Sequence, residues 1–250
     1  MSETQITPVP GLTRDLLAEP AAVKITTPDE YLSTRNRVAH YFDRTATRAW
    51  AQLTSDAPVS GIRATVRAGR DQMRALILGQ LPADLTGARI LDAGCGTGAF
   101  AFELAARGAD VVGVDISPQL IAIAQTRRPA PLERKLRFQT GDMLDDRLGA
   151  FDFVVAMDSM IYYRASDIAR SLSALAPRID GKMVLTIAPR TLPLLVMWRL
   201  GKLLPRSDRS PNMVPHTCKR IARQLQTGSV RDVGRINSGF YISNALVFRP

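Results

Sequence analysis

Ile90-Leu91-Asp92-Ala93-Gly94-Cys95-Gly96-Thr97-Gly98 decides how the rest of this chain is read. A short apolar strand enters a glycine-rich turn, and the pattern from Ala99 to Arg107 is helical. A second apolar strand, Ala109 to Gly113, then ends in Val114-Asp115. Glycines let a backbone approach a ligand where a Cβ would clash. An acid after the second strand can accept hydrogen bonds from a ribose diol. The stretch therefore predicts a nucleoside-binding βαβ unit.

The spacing separates two kinds of nucleoside. A dinucleotide loop runs G-x-G-x-x-G and directs a helix N-terminus at a pyrophosphate. Here it runs Gly94-x-Gly96-x-Gly98 with Asp92 in front. An acid there repels a pyrophosphate and suits the ammonium of a methionine moiety. The run resembles the first motif of the class I S-adenosylmethionine-dependent methyltransferases. The alternative is a dehydrogenase with a degenerate loop. The resemblance implies that Gly94, Gly96 and Gly98 lie under the amino-acid and ribose portions of S-adenosylmethionine. Asp92 would sit near the ammonium and Asp115, followed by Ile116, at the ribose. Asp142 would face the adenine amino group, Met143 would flank the ring, and Asp158 would line the same cleft edge.

From Ala88 onward strands and helices alternate, which predicts a mainly parallel sheet. Strands are expected at 88–92, 109–115, 136–140, 151–157, 182–188, 229–236 and 241–248, the last pair antiparallel. Helices are expected at about 117–127 and 165–176. The fold class is thus α/β, a Rossmann-like seven-stranded methyltransferase sheet with the last strand antiparallel. In front lie a loose tail (1–26) and a helical arm (27–82), with helices at 27–50 and 60–81. Thr27 and Glu30 read as a capping box. The S-adenosylmethionine-binding domain is then 83–250, with a basic, proline-containing insert at about 190–228.

Composition narrows the partners. The 250 residues carry a formal net charge of +10, which favours anionic substrates, anionic membranes or nucleic acid. The two cysteines, Cys95 and Cys218, have no metal-ligand spacing, and no metal ligand is assigned. A cytoplasmic setting, with peripheral contact to a membrane, is expected. The N-terminal residues hold no apolar signal segment. The most apolar run, 192–204, is broken by Arg199 and Lys202 and cannot span a bilayer.

The acceptor must be read elsewhere. Enzymes that methylate base amino groups carry N/D-P-P-Y/F after the fourth strand; this chain has Asp158-Ser159-Met160-Ile161-Tyr162. Neither cysteine stands in the Pro-Cys pair used on pyrimidine carbon, and the insert lacks aromatic stacking platforms, so nucleic acid is not expected. Arg63, Arg67, Arg70 and Arg74 form one stripe of a helix. It reads either as a solvated basic face or as a cationic wall for a carboxylate. The insert sets Arg199, Lys202, Arg206 and Arg209 among Leu194, Trp198, Leu203 and Leu204, a surface suited to a flat, greasy anion.

Tyr41-Phe42-Asp43-Arg44-Thr45-Ala46, Trp50 and Ser60-x-Ile62-Arg63-x-Thr65-Val66-Arg67-x-Gly69-Arg70 resemble the front of the magnesium-protoporphyrin IX methyltransferases. The likeness continues through Ala156-Met157-Asp158-Ser159, Ala188-Pro189-Arg190-Thr191 and Gly201-Lys202-Leu203-Leu204-Pro205-Arg206. It implies methyl transfer from S-adenosylmethionine to a propionate of magnesium-protoporphyrin IX, as in bacteriochlorophyll synthesis. It also implies contact with the large subunit of magnesium chelatase. Arg63, Arg67, Arg70, Trp198 and Arg206 are the expected substrate contacts.

Many relatives have Ile-His-Tyr where this chain has Ile161-Tyr162-Tyr163. Tyr162 can donate a hydrogen bond but is no base near neutral pH. Tyr162 and Tyr41, the latter on an arm expected to close as a lid, are the candidate catalytic residues. His40 and His216 are the only histidines; either could ligate a porphyrin magnesium or be structural. The competing readings are an O-methyltransferase of a quinol or phenol, an RNA methyltransferase, and a non-catalytic cofactor-binding module.

Overall fold

A computed structural model describes residues 28–55, 61–190 and 211–250. The tail 1–26, Thr27, Trp198, Arg206 and most of the expected insert lie outside these residues. The arm comprises α1 (Pro28–Tyr41), a π-helical turn (Phe42–Ala46), α2 (Thr47–Leu53) and α3 (Ile62–Leu78). The α/β part runs β1 (Arg89–Ala93), α4 (Ala99–Ala106), β2 (Asp110–Asp115), α5 (Pro118–Arg127), β3 (Leu136–Thr140), β4 (Phe151–Ala156), α6 (Ala165–Leu175) and β5 (Ile179–Ile187). It ends with α7 (Cys218–Ala222), β6 (Ser229–Ser238) and β7 (Tyr241–Arg249).

The strands form one seven-stranded sheet in the order β3-β2-β1-β4-β5-β7-β6. β7 runs antiparallel to both neighbours, and the other described pairings are parallel. β1 is apolar throughout its centre because both faces are covered: Ile90 and Leu91, on opposite sides, are fully buried. The Ile90 side packs with Met73 and Ile77 of α3 and Leu104 of α4. The Leu91 side packs with Ile168 and Leu172 of α6 and Phe248 of β7. Truncating one such residue, as in Leu172→Ala, costs about 2–5 kcal/mol.

Topology then places the site. β1 pairs β2 on one side and β4 on the other, with Asp92 opposite Gly113 and Val155. The chain order reverses across the β1/β4 pair, so a crevice opens at the carboxyl ends of these strands. Asp92, Asp115 and Asp158 all stand at that edge.

Two local readings differ from the structure. The expected single front helix contains a π turn, where the Thr47 hydroxyl donates to the carbonyls of Phe42 (2.5 Å) and Asp43 (2.9 Å). That hydroxyl takes up carbonyls that the wider turn displaces. β5 begins at Ile179, ahead of the expected 182, because a bulge in β5 accommodates both Asp180 and Gly181 opposite the single residue Asp152 of β4. Glu30 accepts from Arg164 (2.6 and 2.8 Å), an exposed ion pair, and Thr27, its expected capping partner, lies outside the described residues.

Candidate active site

The crevice is a cavity with about 890 Å³ of empty space, open to solvent, bounded by the glycine loop, the ends of β1, β2 and β4, and the arm. The loop is tied down locally. The backbone N–H groups of Gly94 (2.7 Å) and Cys95 (3.1 Å) both donate to the Val114 carbonyl. Gly96 N–H donates to Asp115 Oδ2 (2.8 Å), while Ser117 N–H donates to Oδ1 (2.9 Å). Asp115 therefore fastens the loop to the end of β2. A carboxylate offers about four lone-pair sites, so acceptor capacity remains on the cavity side. Burial pushes its carboxyl up to about 6.

Asp92 is 2% exposed, and its Oδ2 has no hydrogen-bond partner among the described residues. Burial, then the charge of Asp115, pushes its carboxyl up to about 7. An unpartnered buried acceptor is costly until something donates to it. It lines the cavity, so a cationic ligand there would supply the missing donor. This is the fit expected for the amino-acid end of S-adenosylmethionine.

Gly94, Gly96, Ile116, Met143 and Asp158 line the cavity as expected, but Gly98 and Asp142 do not. Gly98 has φ +83, and a Cβ there would meet the Phe138 ring at 2.6 Å. Its lack of a side chain serves packing of the loop against β3 rather than ligand approach. Asp142 turns to the arm: Oδ1 accepts from Tyr31 Oη (2.9 Å) and Leu144 N–H (2.9 Å), and Oδ2 from Arg35 Nη1 (2.8 Å). The residue expected at the adenine is therefore held, in this geometry, by Tyr31 and Arg35 of the arm.

The arginine stripe also has other work. α2 ends at Leu53, and helix ends leave carbonyls unpaired. Arg67 donates to the carbonyls of Leu53 (3.1 Å) and Gln52 (2.8 Å), and Arg127 of α5 to that of Ala51 (2.9 Å). Arg63 donates to Gln52 Oε1 (3.0 Å). Cations at a helix C-terminus are favoured by its dipole as well. Arg63 and Arg67, expected as substrate contacts, thus hold the arm and do not line the cavity. Arg70 does line it, pairs with Asp158, and stacks 4.6 Å over the Trp50 ring. Trp198 and Arg206 lie outside the described residues.

The arm covers the glycine loop. Trp50 Nε1 sits 3.1 Å from where a Cβ on Gly96 would be, and Thr54 Oγ1 shares a hydrogen bond with Thr97 Oγ1 (2.6 Å). Tyr31, Phe42, Trp50 and Thr54 bring arm side chains to the cavity. The sequence reading missed these as site residues, although the grouping of Phe42 and Trp50 in one short helical stretch was a visible signal.

Tyr162 lines the cavity, edge-on to Phe42 with ring centroids 6.2 Å apart. Burial, then the charge of Asp158, pushes its phenol upward, so near neutral pH it offers an O–H donor and does not serve as a phenolate base. Tyr41 stacks edge-on against Phe42 at 5.2 Å but does not line the cavity. His216 is buried, its Nε2 2.8 Å from the Tyr163 carbonyl, and His40 is exposed on α1; neither lines the cavity. No group of three or more His, Cys, Asp or Glu side chains among the described residues could hold a metal ion. Both cysteines are free, and no described helix is long and apolar enough to cross a membrane.

Comparison with known proteins agrees with this geometry. Residues 156–250 match the family model for the magnesium-protoporphyrin IX methyltransferase C-terminus, and residues 90–178 match a methyltransferase domain. A magnesium-protoporphyrin O-methyltransferase of Rhodobacter capsulatus is 57% identical over 89% of this chain and 100% of its own length. The crystal structure of magnesium protoporphyrin IX methyltransferase from Synechocystis PCC 6803 with bound SAH superposes with a TM-score of 0.74 at 30% identity, covering 86% of this chain and 99% of that one. The same enzyme with bound SAM gives 0.69 at 25% identity over 93% and 100%. With more than half of its residues identical to that Rhodobacter capsulatus relative over most of both chains, and its C-terminal part matching the family model, this chain belongs to the magnesium-protoporphyrin O-methyltransferase family of S-adenosylmethionine-dependent methyltransferases.

Proposed function

We propose that this enzyme transfers a methyl group from S-adenosylmethionine to one propionate carboxylate of magnesium-protoporphyrin IX, giving the monomethyl ester. The observation that supports this reading is that Tyr162, a donor and no base near neutral pH, lines the same cavity as the unpartnered Asp92. A phenol or quinol acceptor needs a base beside it. A propionate, with an ordinary pKa of about 4.3, is ionised already and needs only placement. When bound, the cofactor supplies an electrophilic sulfonium methyl.

The chain's own groups then orient and desolvate. Asp92 receives the ammonium, Asp115 the ribose hydroxyls, and Met143 flanks the adenine. Tyr162 Oη donates one hydrogen bond to the carboxylate, which orients it without a clamp that would hold back its lone pair. Phe42 and Trp50 exclude water beneath an arm that opens and closes as a lid. Tyr41, against Phe42, shapes that lid. The basic segment 190–228, with Trp198 and Arg206, and the +10 net charge supply a surface for the porphyrin, for the large subunit of magnesium chelatase that hands it over, and for an anionic membrane.

The test uses purified protein and methyl-labelled S-adenosylmethionine, offered magnesium-protoporphyrin, metal-free protoporphyrin, a quinol and total RNA. Label in an alkali-labile ester of the magnesium porphyrin is the expected result. Label only in the quinol or RNA overturns the reading.

A further inference from the structure

We infer that the Arg70 guanidinium, held on the cavity wall by Asp158 and Trp50, receives the α-carboxylate of the cofactor's amino-acid portion. This rests on reading the cavity as the S-adenosylmethionine site, and it moves Arg70 from the porphyrin to the cofactor.

Arg70 is built into place from several elements. Its Nη1 donates to Asp158 Oδ2, and its guanidinium lies over the Trp50 ring. Asp158 is itself held hard. Its φ is +58, and it is the one non-glycine residue with positive φ among those described. A backbone of that kind persists only where its surroundings over-determine it. The Asp158 N–H donates to Thr186 Oγ1 (2.8 Å), and Asp158 Oδ1 accepts from Tyr241 Oη (2.9 Å) and Thr186 Oγ1 (3.3 Å). The Tyr241 ring in turn occupies the space beside Gly69, where a Cβ would come within 2.6 Å of it. β4, β5 and β7 therefore converge on one carboxylate, and that carboxylate aims one arginine of α3.

The position of Arg70 matches the amino-acid end of the cavity. Ser159, next to Asp158, packs against Gly94, the glycine nearest Asp92. The positive charge of Arg70 reaches Asp92 and partly offsets the upward push on its carboxyl. Asp115 and Ile116 mark the nucleoside end instead. The cavity thus presents a cation and an unpartnered anion to the same region, the complement of an α-amino acid zwitterion. Among the described residues, Arg70 uses only Nη1 in a hydrogen bond, so N–H donors of its five remain for a carboxylate.

A porphyrin propionate is a poor match for this group. The propionate oxygen must attack, and a guanidinium fork would stabilise it in the ground state more than in the transition state, where its charge is being lost. The cofactor carboxylate does not react, so a tight charge-assisted bond there costs no rate.

Calorimetric titration of the full chain separates the two carboxylates. The ligands are S-adenosylmethionine, its decarboxylated analogue, and 5′-methylthioadenosine, which lacks the amino-acid portion. The wild type should prefer S-adenosylmethionine to the decarboxylated analogue by about 10- to 100-fold, and Arg70→Met should erase that preference. Binding of 5′-methylthioadenosine should persist in the variant, which also shows that its site is folded. Asp158→Asn, acting through Arg70, should shrink the preference while leaving 5′-methylthioadenosine unaffected. Equal weakening of all three ligands by Arg70→Met overturns the inference in favour of a structural role. Unchanged S-adenosylmethionine affinity with a raised KM for magnesium-protoporphyrin overturns it in favour of a propionate contact. Failure of the wild type to bind either S-adenosylmethionine or 5′-methylthioadenosine removes the cofactor reading itself, and this inference with it.

Discussion

Asp43 of the arm accepts a hydrogen bond from Ser117 Oγ at 2.5 Å, at the N-cap of the helix that follows the ribose acid. Ser117 Oγ also accepts from Leu120 N–H (3.2 Å), so one hydroxyl caps α5 and latches the arm. Asp43 further accepts from Gln119 N–H (3.4 Å), and a carboxylate at a helix N-terminus is favoured by the dipole. The arm is thus fastened beside Asp115, the residue expected to hold the ribose.

Breaking that latch should loosen the lid. Asp43→Ala is expected to cost about 1 kcal/mol of stability and to speed S-adenosylhomocysteine dissociation, with the sheet unaffected. Stopped-flow dissociation and limited proteolysis within 28–55 measure both effects. An unchanged off-rate would mean that Asp43 does not govern opening.

Asp115 should show two losses at once. Asp115→Ala removes the proposed ribose acceptor and also orphans the N–H groups of Gly96 and Ser117. Cofactor affinity should fall at least about tenfold and stability by about 1–3 kcal/mol. Titration with S-adenosylhomocysteine beside a thermal melt reads both. A melt that moves without a change in affinity would refute the ribose assignment.

Asp92 makes the site sensitive to pH in a definite direction. Its carboxyl rises from 3.8 to about 7 in the fold, through burial first and the charge of Asp115 second. The folded chain therefore holds a proton that the unfolded chain has released. The stabilising contribution is full below about pH 4 and is lost as pH rises through about 7. Asp92→Asn should flatten that part of the stability profile of the ligand-free enzyme. A cationic ligand favours the ionised form, so binding near pH 6 should expel a proton and tighten toward pH 8. Calorimetry in two buffers of different ionisation heat detects the proton. Identical observed heats in the two buffers would mean that no proton moves and would sink the ammonium assignment.

Tyr162 should matter modestly. Because its phenol stays protonated, Tyr162→Phe removes one orienting hydrogen bond and should slow turnover by about tenfold. A loss beyond about a thousandfold, near 4 kcal/mol, would indicate a more direct part in the reaction. Single-turnover methylation under saturating cofactor isolates this step.

Strands, the glycine loop and Asp115 were legible because their signals are local. The apolar run of β1, the left-handed turns at Gly94 and Gly96, and the Ser117-Pro118 helix start depend on neighbours a few residues away. Bulges and π turns were less legible: Asp180-Gly181 looks like a break until it bulges within β5 opposite Asp152, and Thr47 looks like an ordinary helical residue until it bonds back to Phe42.

The sequence alone determined the sheet, the nucleoside loop and a positively charged chain with an arginine stripe. It could not say what the stripe holds. Whether an arginine meets substrate, solvent or protein depends on groups far away in the chain, as with Arg70 and Asp158 or Arg67 and the end of α2. Asp142 illustrates the same limit, since Tyr31 and Arg35 claim it from more than a hundred residues away. Charge and spacing are written along the chain, but a side chain's partner is set by the packing that brings distant segments within about 3 Å of each other.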